Sequence, residues 1–82
     1  MLHDAALVFD YPDADTASLV YRAVSQEAGE ISGDRTTAAV SLDGPSLHVD
    51  IDADDLVALR AGINTWTTLV EVAEETAALG RF

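Results

Sequence analysis

Residues 36–56 read Thr-Thr-Ala-Ala-Val-Ser-Leu-Asp-Gly-Pro-Ser-Leu-His-Val-Asp-Ile-Asp-Ala-Asp-Asp-Leu, and the plan of the fold is written in this stretch. Thr36, Ala38, Val40 and Leu42 alternate with Thr37, Ala39 and Ser41, the period of two that a strand imposes. Asp43-Gly44-Pro45 then reads as a hairpin, because glycine tolerates positive φ and proline cannot donate to a continuing ladder. Leu47, Val49 and Ile51 alternate with His48, Asp50 and Asp52, which predicts a strand with one buried and one wet face. Asp52, Asp54 or Asp55 is placed to cap a helix that follows to about residue 79. That helix would be about 37 Å long, more than a small sheet needs.

Upstream, Ala5, Leu7 and Phe9 alternate with Ala6 and Val8, predicting a first strand over residues 3–9 that Tyr11-Pro12-Asp13 ends. Asp13 or Asp15 supplies the cap of a helix over 14–28, whose Ala17, Val20, Tyr21, Val24 and Ala28 share one face. Leu19 and Ala23 give it a second, weaker apolar side, and Gly29 is its natural stop. Residues 30–34 form a polar connection. The order is β-α-β-β-α, an α+β class. A crossover helix makes strands one and two parallel, whereas the hairpin makes three antiparallel to two. The economical result is a three-stranded antiparallel sheet in the order 1-3-2. Both helices then lie on the Leu47/Val49/Ile51 face and strands one and two form the edges. Residues 1–82 are expected to form a single domain.

At 82 residues the chain is long enough for one core and short enough that burying its apolar surface alone is difficult. The apolar fraction is 49%, but fourteen of those residues are alanine, so the core is thin and an exposed sheet edge invites pairing with a second chain. Absence of cysteine excludes a disulfide framework and thiolate metal sites. Fifteen acids, ten of them aspartate, face four arginines and no lysine, for a net charge of −11. Such a field repels a phosphate backbone in dilute salt. It also suits a salt-saturated cytosol, where a Debye length of about 3 Å mutes the repulsion. No run approaches a membrane span, and residues 1–9 lack the basic start of a signal peptide, so a cytoplasmic location is expected.

The second helix is the most informative element. Leu56, Leu59, Ile63, Trp66, Val70, Ala73 and Ala77 are spaced alternately three and four apart, a packing seam. Ala58, Gly62, Thr65, Leu69 and Val72 widen the apolar arc to nearly twice the roughly 100° that a helix on a sheet requires. Arg60, Asn64, Thr67, Glu71, Glu74 and Glu75 make up the shrunken polar side. Either the first helix covers the excess, or a helical partner docks there, with Ala58, Ala61 and Gly62 permitting close approach. Arg60 and Asn64, four apart beside that arc, are either a solvated flank or the fork and amide that fix a partner's register. Trp66 reads as core first.

Little in the sequence points to chemistry. His48, Asp50 and Asp52 share a strand face but fall short of a closed metal site, and a solvated acidic face accounts for them. There is no Gly-x-Ser-x-Gly, no phosphate loop or dinucleotide fingerprint, and no GxxG of an RNA-binding KH fold. No catalytic residue, cofactor or metal is expected.

Ala58-Leu59-Arg60-Ala61-Gly62-Ile63-Asn64-Thr65-Trp66 follows an aspartate-rich cap, and this pattern resembles the small Pcc-type (dimerisation) subunit of the KEOPS complex. Tyr21-Arg22-Ala23-Val24 and the preceding strand pair fit the same family, so the resemblance covers nearly the whole chain. Its acidic surface suggests a halophilic archaeon. The resemblance implies a noncatalytic adaptor that forms a homodimer through sheets or edges and docks the Kae-type catalytic subunit through its helices. The assembly installs threonylcarbamoyl on adenosine 37 of tRNA, which this acidic chain would meet only indirectly or weakly. Carried onto this sequence, the expected partner-binding residues are Tyr21 and Val24 on the first helix, and Leu59, Arg60, Ile63, Asn64 and Trp66 on the second. The competing classes are an autonomous small RNA-binding module and a metal-dependent hydrolase using His48 and Asp50.

Overall fold

A computed structural model describes residues 3–28 and 36–79. Strand β1 (His3–Asp10) leads into helix α1 (Ala14–Ala28); β2 (Thr36–Asp43) and β3 (Ser46–Ala53) form a hairpin; helix α2 (Leu56–Ala78) ends the fold. The sheet order is β1-β3-β2 with both pairings antiparallel, as the alternation and the single crossover helix require. Gly44 turns the hairpin at φ +59°, a conformation that glycine takes without a Cβ penalty. The expected Gly29 stop and the 30–34 connection lie outside the described residues.

Two aspartates settle the helix starts. Asp13 Oδ1 accepts from the Thr16 amide at 2.7 Å, and Asp55 Oδ1 accepts from the Ala58 amide at 2.8 Å. Each satisfies one of the four donors that a first turn leaves unpaired. The bonds from Thr16 hold the Asp13 carboxyl below the ordinary carboxylate range.

β3 lies between two neighbours and beneath both helices, so its inward residues Leu47, Val49, Ile51 and Ala53 are all buried. Against them pack Ala17, Val20 and Val24 from α1 and Ala58, Trp66, Val70 and Ala73 from α2. Each large aliphatic chain sealed here contributes about 1.5–3 kcal/mol. The edge strands are covered unequally. On β1 the inward residues Ala5, Leu7 and Phe9 are half-buried, whereas on β2 Ala38 and Leu42 remain exposed.

The α2 seam is nearly as expected, with one correction. Leu56 is 65% exposed, and Ala58 takes the inward place in the first turn. A spacing of three and four drifts by about 20° per heptad around a straight helix, so seven such positions cannot all stay on one line of contact. Glu74 and Thr67, expected on the wet side, are half-buried for the same reason.

Gly62 lets α2 lie close to the sheet. A Cβ at this position would stand 3.2 Å from Ile51 Cγ2 and 3.8 Å from Thr36 Cγ2. Gly62→Val is therefore expected to lower stability by about 1–3 kcal/mol through overpacking. Chemical denaturation in molar salt checks this, and an unchanged midpoint would show that the helix is free to lift.

Candidate functional site

Trp66, 6% exposed, marks the direction in which α2 faces the core. At about 100° per residue, Val57, Ala61, Asn64, Thr68, Val72 and Leu79 lie roughly 120° or more away from it. All six are exposed, Val57 at 75%, Leu79 at 69% and Val72 at 54%. A helix face opposite the core is ordinarily its charged face; here Arg60 lies about 120° from Trp66, and Glu71 and Glu75 about 140° and 180°, so the face carries no acid from Leu56 to Val70 and turns acidic beyond it. Of the residues expected to widen the apolar arc, Ala58 is buried and Gly62 and Leu69 are half-buried, while Thr65 and Val72 are exposed, so the fold covers most of the excess and leaves part of it bare.

The N-terminal half of this face is concave. Leu56, Val57, Arg60, Ala61 and Asn64 line an open groove of about 380 Å³. No hydrogen bond or ion pair joins the exposed Arg60 to another described residue. An unneutralised guanidinium beside bare leucine and valine, in a chain of net charge −11, offers a fork for a partner carboxylate or backbone carbonyls.

The expected partner-binding residues divide by burial. Arg60 and Asn64 line the groove. Leu59, Ile63 and Tyr21 are half-buried and pack on the core, each with an accessible edge. Val24 and Trp66 are buried core members, so their influence on any docked partner runs through the placement of the helices. Sequence reading passed over Val57. The signal that could have found it is the acid-free row 57, 61, 64 and 68 opposite the seam, obscured because Asn64 and Thr68 are polar.

A second groove of about 380 Å³ opens between the start of α1 and the end of α2, lined by Tyr11, Thr16, Leu19, Val20, Glu74, Ala77 and Ala78. The Tyr11 hydroxyl donates to Glu74 Oε2 at 2.7 Å across this groove, tying the end of β1 to the last turns of α2. Burial, then the hydrogen bond and charge of Glu74, push the Tyr11 pKa well above its ordinary value. The pair is a structural tie whose polar groups satisfy one another.

The outer face of the sheet does not gather a chemical centre. His48 sits in register between Val8 and Ser41, Asp50 between Ala6 and Ala39, and Asp52 between Asp4 and Thr37. Among the described residues no group of three His, Asp or Glu is placed to hold a metal, and no helix is long and apolar enough to cross a membrane.

Sheet, caps and bare helix face together define a small α+β protein in which two helices cover one side of a 1-3-2 antiparallel sheet. The family model of transcription factor Pcc1 matches residues 4–78, and the chain belongs to that family, a family of KEOPS subunits rather than of known catalysts. No curated protein matches the chain.

Proposed function

We propose that this chain is the noncatalytic adaptor and dimerisation subunit of a KEOPS assembly. In this role it supports threonylcarbamoyladenosine formation at position 37 of tRNA in the cytoplasm of a halophilic archaeon. Its helices dock the Kae-type catalytic subunit, with Leu56, Val57, Arg60, Ala61 and Asn64 as the contact centre and Leu59, Ile63 and Tyr21 at its margin. The observation that supports this most is the acid-free outward face of α2 from Leu56 to Val70, with its groove and an Arg60 guanidinium that no described residue pairs. Family membership supplies the assembly. Contact with tRNA is indirect or weak, since net charge −11 opposes phosphate binding at low salt.

The test is titration of the purified catalytic subunit with the full chain in molar salt. Arg60→Glu is expected to weaken binding more than tenfold while the far-ultraviolet dichroism stays as in the parent, because the side chain is exposed and no described residue bonds to it. Unchanged affinity would remove Arg60 from the interface. Absence of binding by the parent chain would remove the docking reading.

A further inference from the structure

The acid-free stretch of α2 ends at Val70, and Glu71, Glu74 and Glu75 follow within its last two turns. That order works against the helix. Carboxylates near a C-terminus face the negative end of the macrodipole, and exposed glutamates three and four apart repel one another. No basic residue in the last turn offsets either effect. A local arrangement that lowers stability, with nothing among the described residues to compensate it, marks a place where a partner can do so.

One of the three glutamates is placed to receive a cation. Glu74 is half-buried in the second groove, where Leu19, Val20 and Ala77 supply apolar lining and the volume is about 380 Å³. Tyr11 donates to its Oε2, and among the described residues no other group bonds to this carboxylate. A carboxylate accepts from several donors at once, so a docked donor finds capacity left. The exposed Glu71 and Glu75, and the Asp13 cap three residues before Thr16 of the groove wall, add negative potential nearby. Arg22 and Arg60, the arginines among the described residues, pair with none of them.

We infer that this groove takes an arginine side chain of the protein docked on α2: the methylene stem lies against Leu19, Val20 and Ala77, and the guanidinium meets the Glu74 carboxylate beside the Tyr11 ring. The inference rests on the docking proposed above and adds a second contact of opposite charge. Arginine suits the groove better than lysine. Its planar, weakly hydrated guanidinium lies on an aromatic ring and brings several donors, whereas an ammonium holds its water. Glu74 and Arg60 lie about 21 Å apart along α2 and about 40° apart around it, so one partner surface can reach both. Their charges also orient that partner, with its acid or carbonyl over Arg60 and its arginine over Glu74. The reversed seating would set cation on cation and acid on acid.

Two measurements on the full chain test this in molar salt, where a Debye length of about 3 Å spares only charges in contact. The first follows backbone amide resonances on adding N-acetylarginine amide, N-acetyllysine amide or N-acetylcitrulline amide, the last an uncharged isostere of arginine. Arginine is expected to shift Thr16, Leu19, Ala77 and Ala78 and to bind about fivefold or more tighter than citrulline. Glu74→Gln, which leaves Tyr11 an acceptor, is expected to abolish that preference. No shift with arginine, equal binding of citrulline, or a preference that survives Glu74→Gln overturns the site, and tighter binding of lysine overturns the choice of side chain. A groove that binds arginine only in Arg81→Ala is filled by the chain's own residue, which overturns the assignment to a partner. The second measurement is the titration of the catalytic subunit, in which Glu74→Gln is expected to weaken binding about fivefold or more. Parent-like affinity of Glu74→Gln overturns the arginine contact and leaves docking standing. Absence of binding by the parent chain overturns docking itself, while the amide shifts still report on the groove.

Discussion

Trp66→Ala is expected to lower the thermal midpoint by at least roughly 12 °C and, at low salt, to unfold the chain. Trp66 is 6% exposed and packs within the cluster of Val20, Val24, Leu47, Val49, Ile51 and Val70. Removing a large aromatic from such a site costs about 3–5 kcal/mol, because the lost transfer energy is joined by a cavity that neighbours fill only in part. A small domain holds about 5–15 kcal/mol in all, and each kcal/mol moves its midpoint by about 4–8 °C. Low salt compounds the loss, since the directly opposed Asp4 and Asp52 repel more strongly when counterions are scarce. Thermal scans by circular dichroism at both salt levels check this. A midpoint shift under about 5 °C would place the indole outside the core and reopen it as a contact residue.

Val57→Asp is expected to have the opposite profile, leaving the fold as it is and removing the partner. The side chain is 75% exposed, so stability should move within about 0.5 kcal/mol. An interface centre that loses an apolar anchor and gains a desolvated charge is weakened by about 2 kcal/mol or more, roughly a 30-fold loss of affinity. Isothermal titration against the catalytic subunit reads this directly. Comparable losses of stability and affinity would mean that Val57 acts through the fold.

These two residues sit on one helix, nine positions apart, and sequence distinguished them only in part. The strands were legible because β3 is buried on one face and wet on the other. Leu47, Val49 and Ile51 therefore had to alternate with His48, Asp50 and Asp52. The cap positions were legible to within two or three candidates because short carboxylates before an apolar run have a backbone reason to be there, and geometry selected Asp13 and Asp55. The division of α2 into core and exposed face was not legible. Leu56 and Leu59 have the same side chain, and only the path of α2 over the sheet leaves the first 65% exposed and the second half-buried. The Tyr11 to Glu74 bond was hidden for a related reason, since it joins groups 63 residues apart and no local pattern announces it. Tyr21 and Val24 were read as one contact pair, yet Val24 is sealed and Tyr21 keeps an open side.

Uneven cover on the sheet adds a lesson about charge. The aspartates among the described residues are not spread evenly: they cap helices, line β1 and β3 and end β2 at Asp43, and they avoid both the rest of β2 and the stretch of α2 from Leu56 to Val70. Where a chain of net charge −11 leaves acid out, contact with another protein is cheapest in Coulomb terms.

Hydrogen exchange of the full chain, alone and with the catalytic subunit in molar salt, tests most directly whether the outward side of α2 is the docking face. Slowed exchange concentrated on residues 56–64, with the outer face of the sheet unchanged, is the predicted result. Protection on the sheet face with none on α2 would contradict it.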